Sequence, residues 1–364
     1  MNSITKNITK TKTISKTLIL CATLASSPLV FAASNPVISE VEYELNDIEN
    51  LSLDFDHTKI SITANESDLI LLRMEQKLKK GKAEYCLQKF TKDHSSSTLK
   101  LSAEIKESSV WGSNCSVERK LVIQLGKGSV NNLLIKHSHG SMTLDNASYS
   151  ELTLNASHTE VDITNLQAKQ AELELHHGRL AIKTINADQL TLNGSHSTLD
   201  IDKAVGNKME AQWRHGKADI EESQFDQVEF DSAHSKIDFV KHKGQMMDVE
   251  AAHSNIRVNT TDSERIVLSN KHGPIYYEGD AKFIKAKNAH GQINLTQTSL
   301  ARFEIEGRNS HGNIVVKVPT ESTYQYSLDS DDQSFFTKST QAETESKSQI
   351  NLKVSHGRGT VKEI

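Results

Sequence analysis

Apolar and polar residues alternate along most of this chain with a period of two. In a typical unit, Leu152 and Leu154 lie six and four positions before His158, while Val161 and Ile163 lie three and five positions after it. Such alternation predicts a half-buried strand on each side of the histidine. The buried phase changes from even to odd offsets across the histidine, so a corner is predicted there. No segment keeps a 3.6-residue apolar period over three turns, which argues against helices.

The histidine marks a repeat. Eight histidines follow one another at steps of 19 residues, and two more follow at steps of 18 and 21: His139, His158, His177, His196, His215, His234, His253, His272, His290 and His311. The same apolar template surrounds His57 and His356. The residue after the corner histidine is Gly, Ser or Thr, and these residue types tolerate a tight turn.

Each unit therefore consists of a strand, a corner, a second strand and a polar return of about six residues, such as Thr164 to Gln170. A single unit cannot cover its own apolar face, whereas parallel stacking of units about 4.8 Å apart does so. The sequence predicts an all-β fold, a single-stranded parallel β-helix (β-solenoid). Its coils have about 19 residues, and capping segments close both ends.

The chain divides into four predicted parts. Residues 1–32 have the pattern of a signal peptide, with four lysines before an apolar stretch that ends in Val30-Phe31-Ala32. Residues 33–130 are expected to form an N-terminal coil and a β cap. Residues 131–319 form the regular solenoid with its row of histidines, and residues 320–364 form a C-terminal excursion and a last coil. The polar stretch from Pro319 to Lys347 is expected to be irregular.

The cap segment contains Cys86 and Cys115. Because an exported chain meets an oxidising compartment, we expect a structural disulfide between these two cysteines. Two free thiols or a metal site are the alternatives, although neither cysteine has a second ligand nearby in sequence. The strands predicted in this segment are Leu69 to Met74, Ala83 to Phe90, Thr98 to Ile105 and Arg119 to Leu125.

Charge and hydropathy narrow the class of partner. The 42 Lys and Arg against 47 Asp and Glu give a formal charge of −5, and removal of the four signal-peptide lysines shifts it to −9. This balance excludes a strongly basic nucleic-acid binder. No apolar run of membrane-spanning length follows the signal peptide. We expect an exported protein, periplasmic or at the cell surface, with no transmembrane anchor after signal removal and an envelope or surface partner of unknown identity.

The corner sequences Ser138-His139-Gly140-Ser141-Met142-Thr143-Leu144 and Asn309-Ser310-His311-Gly312-Asn313-Ile314 carry a family resemblance. Most of the mature chain resembles the bacterial putative-adhesin domains of unknown function, which are exported β-solenoids. The resemblance implies a solenoid fold and a cell-envelope setting, and it transfers no catalytic residue. The chain departs from the family pattern at the corner, where the family commonly has Ser or Asn and this sequence has His.

Three hypotheses concern the row of histidines. Stacked imidazoles could be structural fixtures, and the even offset, in phase with the buried positions, favours this role. Neighbouring imidazoles could instead bind Zn, Cu or Ni. The first candidates for such a site are His215, His234 and His253, with the other seven of the ten as the rest of the row. The row could also respond to pH, because adjacent imidazolium ions repel. Whether it faces inward or outward stays open.

Acidic residues also repeat with the coil, in one row of Glu210, Glu229 and Asp248 and another of Asp200, Asp219 and Asp238. Such rows are either solvated surfaces or attract cations.

Catalysis has little support in the sequence. A polysaccharide-active β-helix enzyme is the weakest alternative, because an enzyme needs a local, non-repeated cluster, and no catalytic residues are predicted. Of the two tryptophans, Trp111 and Trp213, the second is expected to fill the core. The sequence therefore favours a structural or adhesin-like interaction module.

Overall fold

The structure is a computed structural model of the 364-residue chain. It describes residues 35–44, 48–67, 69–105, 115–126, 130–330 and 347–364. The predicted signal peptide at 1–32 and Trp111 lie outside the described residues, and the signal peptide remains a prediction. Within the described part, no helix is long and apolar enough to cross a bilayer.

Nearly every described residue belongs to a strand. The elements are β1 Val37–Glu44, β2 Asn50–Asp56, β3 Lys59–Asn65, β4 Leu69–Lys80, α1 Ala83–Cys86, β5 Gln88–Ser95, β6 Thr98–Ile105, β7 Ser116–Gly126, β8 Asn132–Asp145, β9 Ala147–Arg214, β10 Lys217–Ala233, β11 Lys236–Ala252, β12 Asn255–His272, β13 Ile275–Gly279, β14 Phe283–His290, β15 Ile293–Gln297, β16 Glu304–His311, β17 Ile314–Val318, β18 Tyr324–Ser330, β19 Ser348–His356 and β20 Gly359–Glu363.

Successive coils pair in parallel at the spacing of the sequence repeat. In β10 and β11, Val228 lies beside Met247 and Phe230 beside Val249, each pair 19 residues apart. The same register joins β8 to β9 and β9 to β10. From β12 onward each coil contributes two separate strands, one before and one after the histidine corner. The predicted β-solenoid is confirmed, and one continuous apolar core runs through its coils.

Three sides bound each coil. We call the side before the histidine face A, the side after it face B, and the returning side face C. Face C was predicted as a polar return, such as Thr164 to Gln170, outside the two strands of the unit. It is instead a strand segment inside β9, and its Leu166 is fully buried. Ile185 and Ala204 occupy the same place in the next two coils and are also buried. One inward apolar residue per return is enough to close the core, and the polar residues around it hid this strand in the sequence.

The N-terminal coil, formed by β2 and β3 around His57, stacks in parallel on β8. Beyond this coil one more strand on each face pairs in parallel, and the strands outside it pair antiparallel. On face B the order outward from β3 is β7, β4 and β1, and on face A the order outward from β2 is β6 and β5. Antiparallel strands therefore end the stack of coils, as expected of a solenoid cap.

The cap differs in one element from the prediction. A strand was expected from Ala83 to Phe90, but residues 83–86 form the single turn α1, and β5 begins only at Gln88. The turn contains no β-branched residue, which removes one local preference for strand. It directs Cys86 into the interior, where Cys86 is fully buried.

The C-terminal excursion contains a strand. An irregular segment was expected between Pro319 and Lys347, but β18 lies within it and pairs in parallel with β19. Because β19 also pairs with β16, the later strand lies between two earlier ones. The polar composition of β18 concealed it, since an edge strand buries fewer side chains than a central one.

Candidate functional site: the histidine ladder

Two kinds of backbone corner carry the histidines. In the first eight coils the histidine itself has a positive φ, between 52° and 56°: His57, His139, His158, His177, His196, His215, His234 and His253. In the last four coils the following glycine takes the positive φ instead: Gly273, Gly291, Gly312 and Gly357. Among non-glycine residues, His, Asn and Asp are enriched in this left-handed region, so a histidine can serve as the corner residue.

The corner backbone is held from inside by the residue two positions before the histidine. Asn288 Nδ2 donates to the Gly273 carbonyl oxygen at 2.7 Å, and Asn309 Nδ2 donates to that of Gly291 at 2.6 Å. Trp213 Nε1 plays the same part by donating to the Ser197 carbonyl oxygen at 3.0 Å. These hydrogen bonds tie the corner carbonyl of one coil to a side chain of the next coil.

The imidazole rings stack into one continuous column, which we call the histidine ladder. Its eleven steps join ring centroids 4.3–5.0 Å apart, with interplanar angles of 3–23°. Its members are His57, His139, His158, His177, His196, His215, His234, His253, His272, His290, His311 and His356. His57 stacks directly on His139, because the cap segment between them in the chain adds no ring to the column.

The histidine ladder faces solvent. All twelve histidines are exposed. Their even offset suggested burial, yet the chain turns at the corner and the side chain lies outside the core, both where the histidine has the positive φ and where the following glycine has it. The inward position of each corner belongs instead to the residue two places earlier, such as Trp213, which is fully buried as expected.

The three candidate metal ligands are consecutive rungs. The ring centroids of His215 and His234 lie 5.0 Å apart, those of His234 and His253 lie 4.8 Å apart, and both pairs are within 5° of parallel. Imidazole lone pairs lie in the ring plane, so those of parallel stacked rings run side by side instead of converging. Among the described residues no group of three or more His, Cys, Asp or Glu is arranged to hold an ion.

The acid row on face B has cations of its own. Asp219 lies in register between Asp200 and Asp238. Asp219 is paired with Lys217, and Asp238 Oδ2 lies 3.5 Å from Lys236 Nζ. In both pairs the lysine precedes the aspartate by two residues on the same strand. Asp200 Oδ2 accepts a hydrogen bond from Arg179 Nε of the preceding coil at 2.8 Å. These ion pairs neutralise the row without an external cation.

The acid row on face A is more crowded with like charge. Glu229 lies in register between Glu210 and Asp248. Lys208 is paired with Glu210 and lies 3.6 Å from Glu229. Partial burial, followed by the nearby carboxylates of Glu250, Asp231 and Glu229, raises the pKa of Asp248. The row lies apart from the ladder corner and shares no ligand set with it.

His242 is a buried histidine on face C, and the 19-residue spacing of the corner histidines did not predict its burial. His242 occupies the inward position that Leu166 holds in an earlier coil and is fully buried. Its Nδ1 lies 2.9 Å from Ser223 Oγ, while its Nε2 is buried without a hydrogen-bond partner. Burial lowers the pKa of His242 to about 4. The place of His242 eight residues after His234 was the available signal, since the four coils from His139 to His196 have a buried apolar residue at the same offset, and Ser223 is buried there in the next coil.

A disulfide joins Cys86 to Cys115, with the two Cα atoms 5.5 Å apart. Arg119 Nη2 donates a hydrogen bond to the Cys86 carbonyl oxygen at 2.8 Å, so the same turn is tied to β7 twice. The bridge belongs to the cap and lies far along the chain from the regular ladder.

The fold and its outward corner column define a β-solenoid of stacked, nearly identical coils. Residues 48–224 match the family described as Toastrack DUF4097. This match confirms the resemblance to a putative-adhesin family of unknown function that the corner motifs predicted. No curated protein matches the chain.

Several solved structures are similar over most of their length. A protein from Clostridium sporogenes titled a putative cell adhesion protein shares 9% identity, with 91% of this chain and 100% of that chain covered, at a TM-score of 0.22. A putative adhesin from Parabacteroides merdae shares 11% identity, with 90% and 96% covered and a TM-score of 0.31. A putative lipid binding protein from Parabacteroides distasonis shares 12% identity, with 91% and 97% covered and a TM-score of 0.30.

Proposed function

We propose that this chain is an exported, non-catalytic β-solenoid that serves as an interaction module of the cell envelope. The observation that carries the proposal is the register of its outward polar side chains. Asp200, Asp219 and Asp238 repeat coil by coil beside their own cations, so the surface consists of straight rows. Repeat proteins use such extended, regular surfaces to bind partners. Family resemblance supports the envelope setting.

Export is tested by the mass of the mature chain. The full gene would be expressed in a Gram-negative host, and the product recovered by osmotic shock. We expect a chain that begins at Ala33, because cleavage after Ala32 follows the predicted signal. The variant Leu18→Arg with Leu20→Arg breaks the apolar stretch and should leave the chain unprocessed in the cytoplasm, whereas Leu18→Ile with Leu20→Ile should be processed normally. An unprocessed cytoplasmic wild type would overturn export.

The interaction role is tested by co-sedimentation of the purified chain with isolated outer membranes, inner membranes and peptidoglycan. We expect one of these fractions to retain the chain. A charge-reversed face B row, with Asp200→Lys, Asp219→Lys and Asp238→Lys, should weaken retention if the row contacts the partner. The matched set on face A is Glu210→Lys, Glu229→Lys and Asp248→Lys. A folded chain that no envelope fraction retains would contradict the proposal.

A further inference from the structure

The histidine ladder presents a long line of uncovered ring edges. Every rung is followed by Gly, Ser or Thr, so the next residue along the chain is small. All twelve rungs are exposed. Exposed side chains change rotamer on the ps–ns timescale, so the rings can rotate about their own bonds without disturbing the core.

The spacing of the rungs is close to what two ligands of one ion require. Two imidazole nitrogens bound to Zn²⁺ at 2.0–2.1 Å in a tetrahedral site lie about 3.4 Å apart. The ring centroids of adjacent rungs are 4.3–5.0 Å apart. A tilt of two exposed rings toward each other closes a difference of about 0.9–1.6 Å, and the backbone corners need not move.

We propose that the histidine ladder is a linear, multi-ion site for Zn²⁺, Ni²⁺ or Cu²⁺, in which each ion is chelated by two adjacent rungs. These cations favour neutral imidazole ligands. A third rung is two coils from the first, about 9.6 Å away, and cannot reach the same ion. Each ion therefore keeps two positions for water or another ligand, and twelve rungs hold at most six ions.

The step between His253 and His272 should bind first. Its ring centroids are 4.3 Å apart, the shortest step of the ladder. It therefore needs the least ring movement to bring two nitrogens onto one ion. Binding at this step leaves seven rungs on one side and three on the other, so alternate filling from it places five ions on the ladder. A sixth ion requires the pairs to shift by one rung, which separates His253 from His272.

The experiment compares two variants that each keep six of the twelve rungs. Asn replaces His in both, because Asn tolerates the left-handed corner and lacks the imidazole. The alternating variant removes every second rung: His139→Asn, His177→Asn, His215→Asn, His253→Asn, His290→Asn and His356→Asn. The block variant removes six consecutive rungs: His234→Asn, His253→Asn, His272→Asn, His290→Asn, His311→Asn and His356→Asn. The alternating variant leaves no adjacent pair, whereas the block variant leaves three.

The full chain, purified without a histidine tag, would be titrated with ZnCl₂ and NiCl₂ by calorimetry at pH 7.5. We expect up to six ions on the wild type and up to three on the block variant. The alternating variant should bind about 100-fold more weakly, because it loses the second ligand held at high effective concentration. X-ray absorption of the Zn-loaded wild type should show two imidazole nitrogens per ion.

Equal affinity of the alternating and block variants would overturn the proposal, because it would mean independent single-histidine binding. Binding that survives in both variants at wild-type strength would overturn it as well. The control His176→Asn removes an exposed histidine that is not a rung and is hydrogen-bonded to Glu174 and Ser195, and it should bind like the wild type. Circular dichroism of every variant verifies that the solenoid is folded. The outcome does not depend on the proposed interaction role.

Discussion

His253 and His272 stack more closely than any other two rungs, with ring centroids 4.3 Å apart, although their backbones differ. His253 has a φ of 56°, whereas in the next coil Gly273 takes the positive φ and His272 does not. The change coincides with Asn270, whose Nδ2 donates to the Ser254 carbonyl oxygen at 2.6 Å. The stack of rings thus continues where the positive φ passes from the histidine to the following glycine. The position of the ring stays the same along the solenoid, although the backbone conformation of the corner differs.

The two corner types predict different responses to one substitution. His215→Val should destabilise the chain by about 1–2 kcal/mol, because a β-branched residue is strained in the left-handed region that His215 occupies. His311→Val is the matched control, since Gly312 carries the positive φ in that coil. Both variants lose the same ring stacking. Urea unfolding measures the difference, and equal destabilisation of the two variants would refute a backbone origin.

His242 predicts a loss of stability in acid. Its pKa is about 4 in the folded chain and about 6.5 when unfolded, so between these values the unfolded state binds the extra proton. The free energy of unfolding should therefore fall as pH decreases from 6.5 to 4. From pH 7 to pH 5 this one group contributes a loss of about 2 kcal/mol.

The variant His242→Leu isolates this contribution, because Leu166 holds the equivalent place in another coil. Urea unfolding at pH 7 and pH 5 should show a smaller pH-dependent loss in the variant than in the wild type. His94→Gln, at an exposed position, serves as the control and should keep the wild-type difference. An unchanged pH dependence in His242→Leu would contradict the assignment.

Removal of the disulfide is expected to destabilise mainly the cap. Cys86→Ala with Cys115→Ala opens a loop of 29 residues, which should lower stability by about 3–4 kcal/mol in the chain-entropy model. Because solenoid coils contact mainly their neighbours, hydrogen exchange should rise in β4 to β7 and change little in β10 to β12. Uniform exchange throughout the chain would show that the cap and the coils unfold as one unit.

Substitutions at Gly194 and Trp213 are expected to have non-additive effects on stability, because the two residues are in contact. A Cβ on Gly194 would lie 2.4 Å from carbons of the Trp213 ring, which is fully buried above it. Gly194→Ala should therefore cost roughly 1–3 kcal/mol. In a Trp213→Leu background the same change should be nearly neutral, because Leu leaves room for the methyl group. Thermal unfolding of the four chains gives the coupling, and additive effects would exclude a direct clash.

Much of the solenoid could be predicted because its information is local and repeated. The 19-residue spacing placed Glu229 between Glu210 and Asp248, and the structure has this register. The alternation identified the inward residues of faces A and B, including Trp213. The sequence also contains cations for the face B acids, as the lysines two residues before Asp219 and Asp238, because residues two apart on a strand lie on the same face.

The sequence by itself determined the coil length, the place of each corner and the buried side of the two main strands. Period-two alternation and repetition report these features directly, since each strand carries its own pattern. Only the tertiary structure decided that the histidines face solvent, that Leu166 closes the core from face C, and that β19 lies between β16 and β18. The direction of a corner side chain depends on φ, and φ at a corner is set by how three faces close around a shared core.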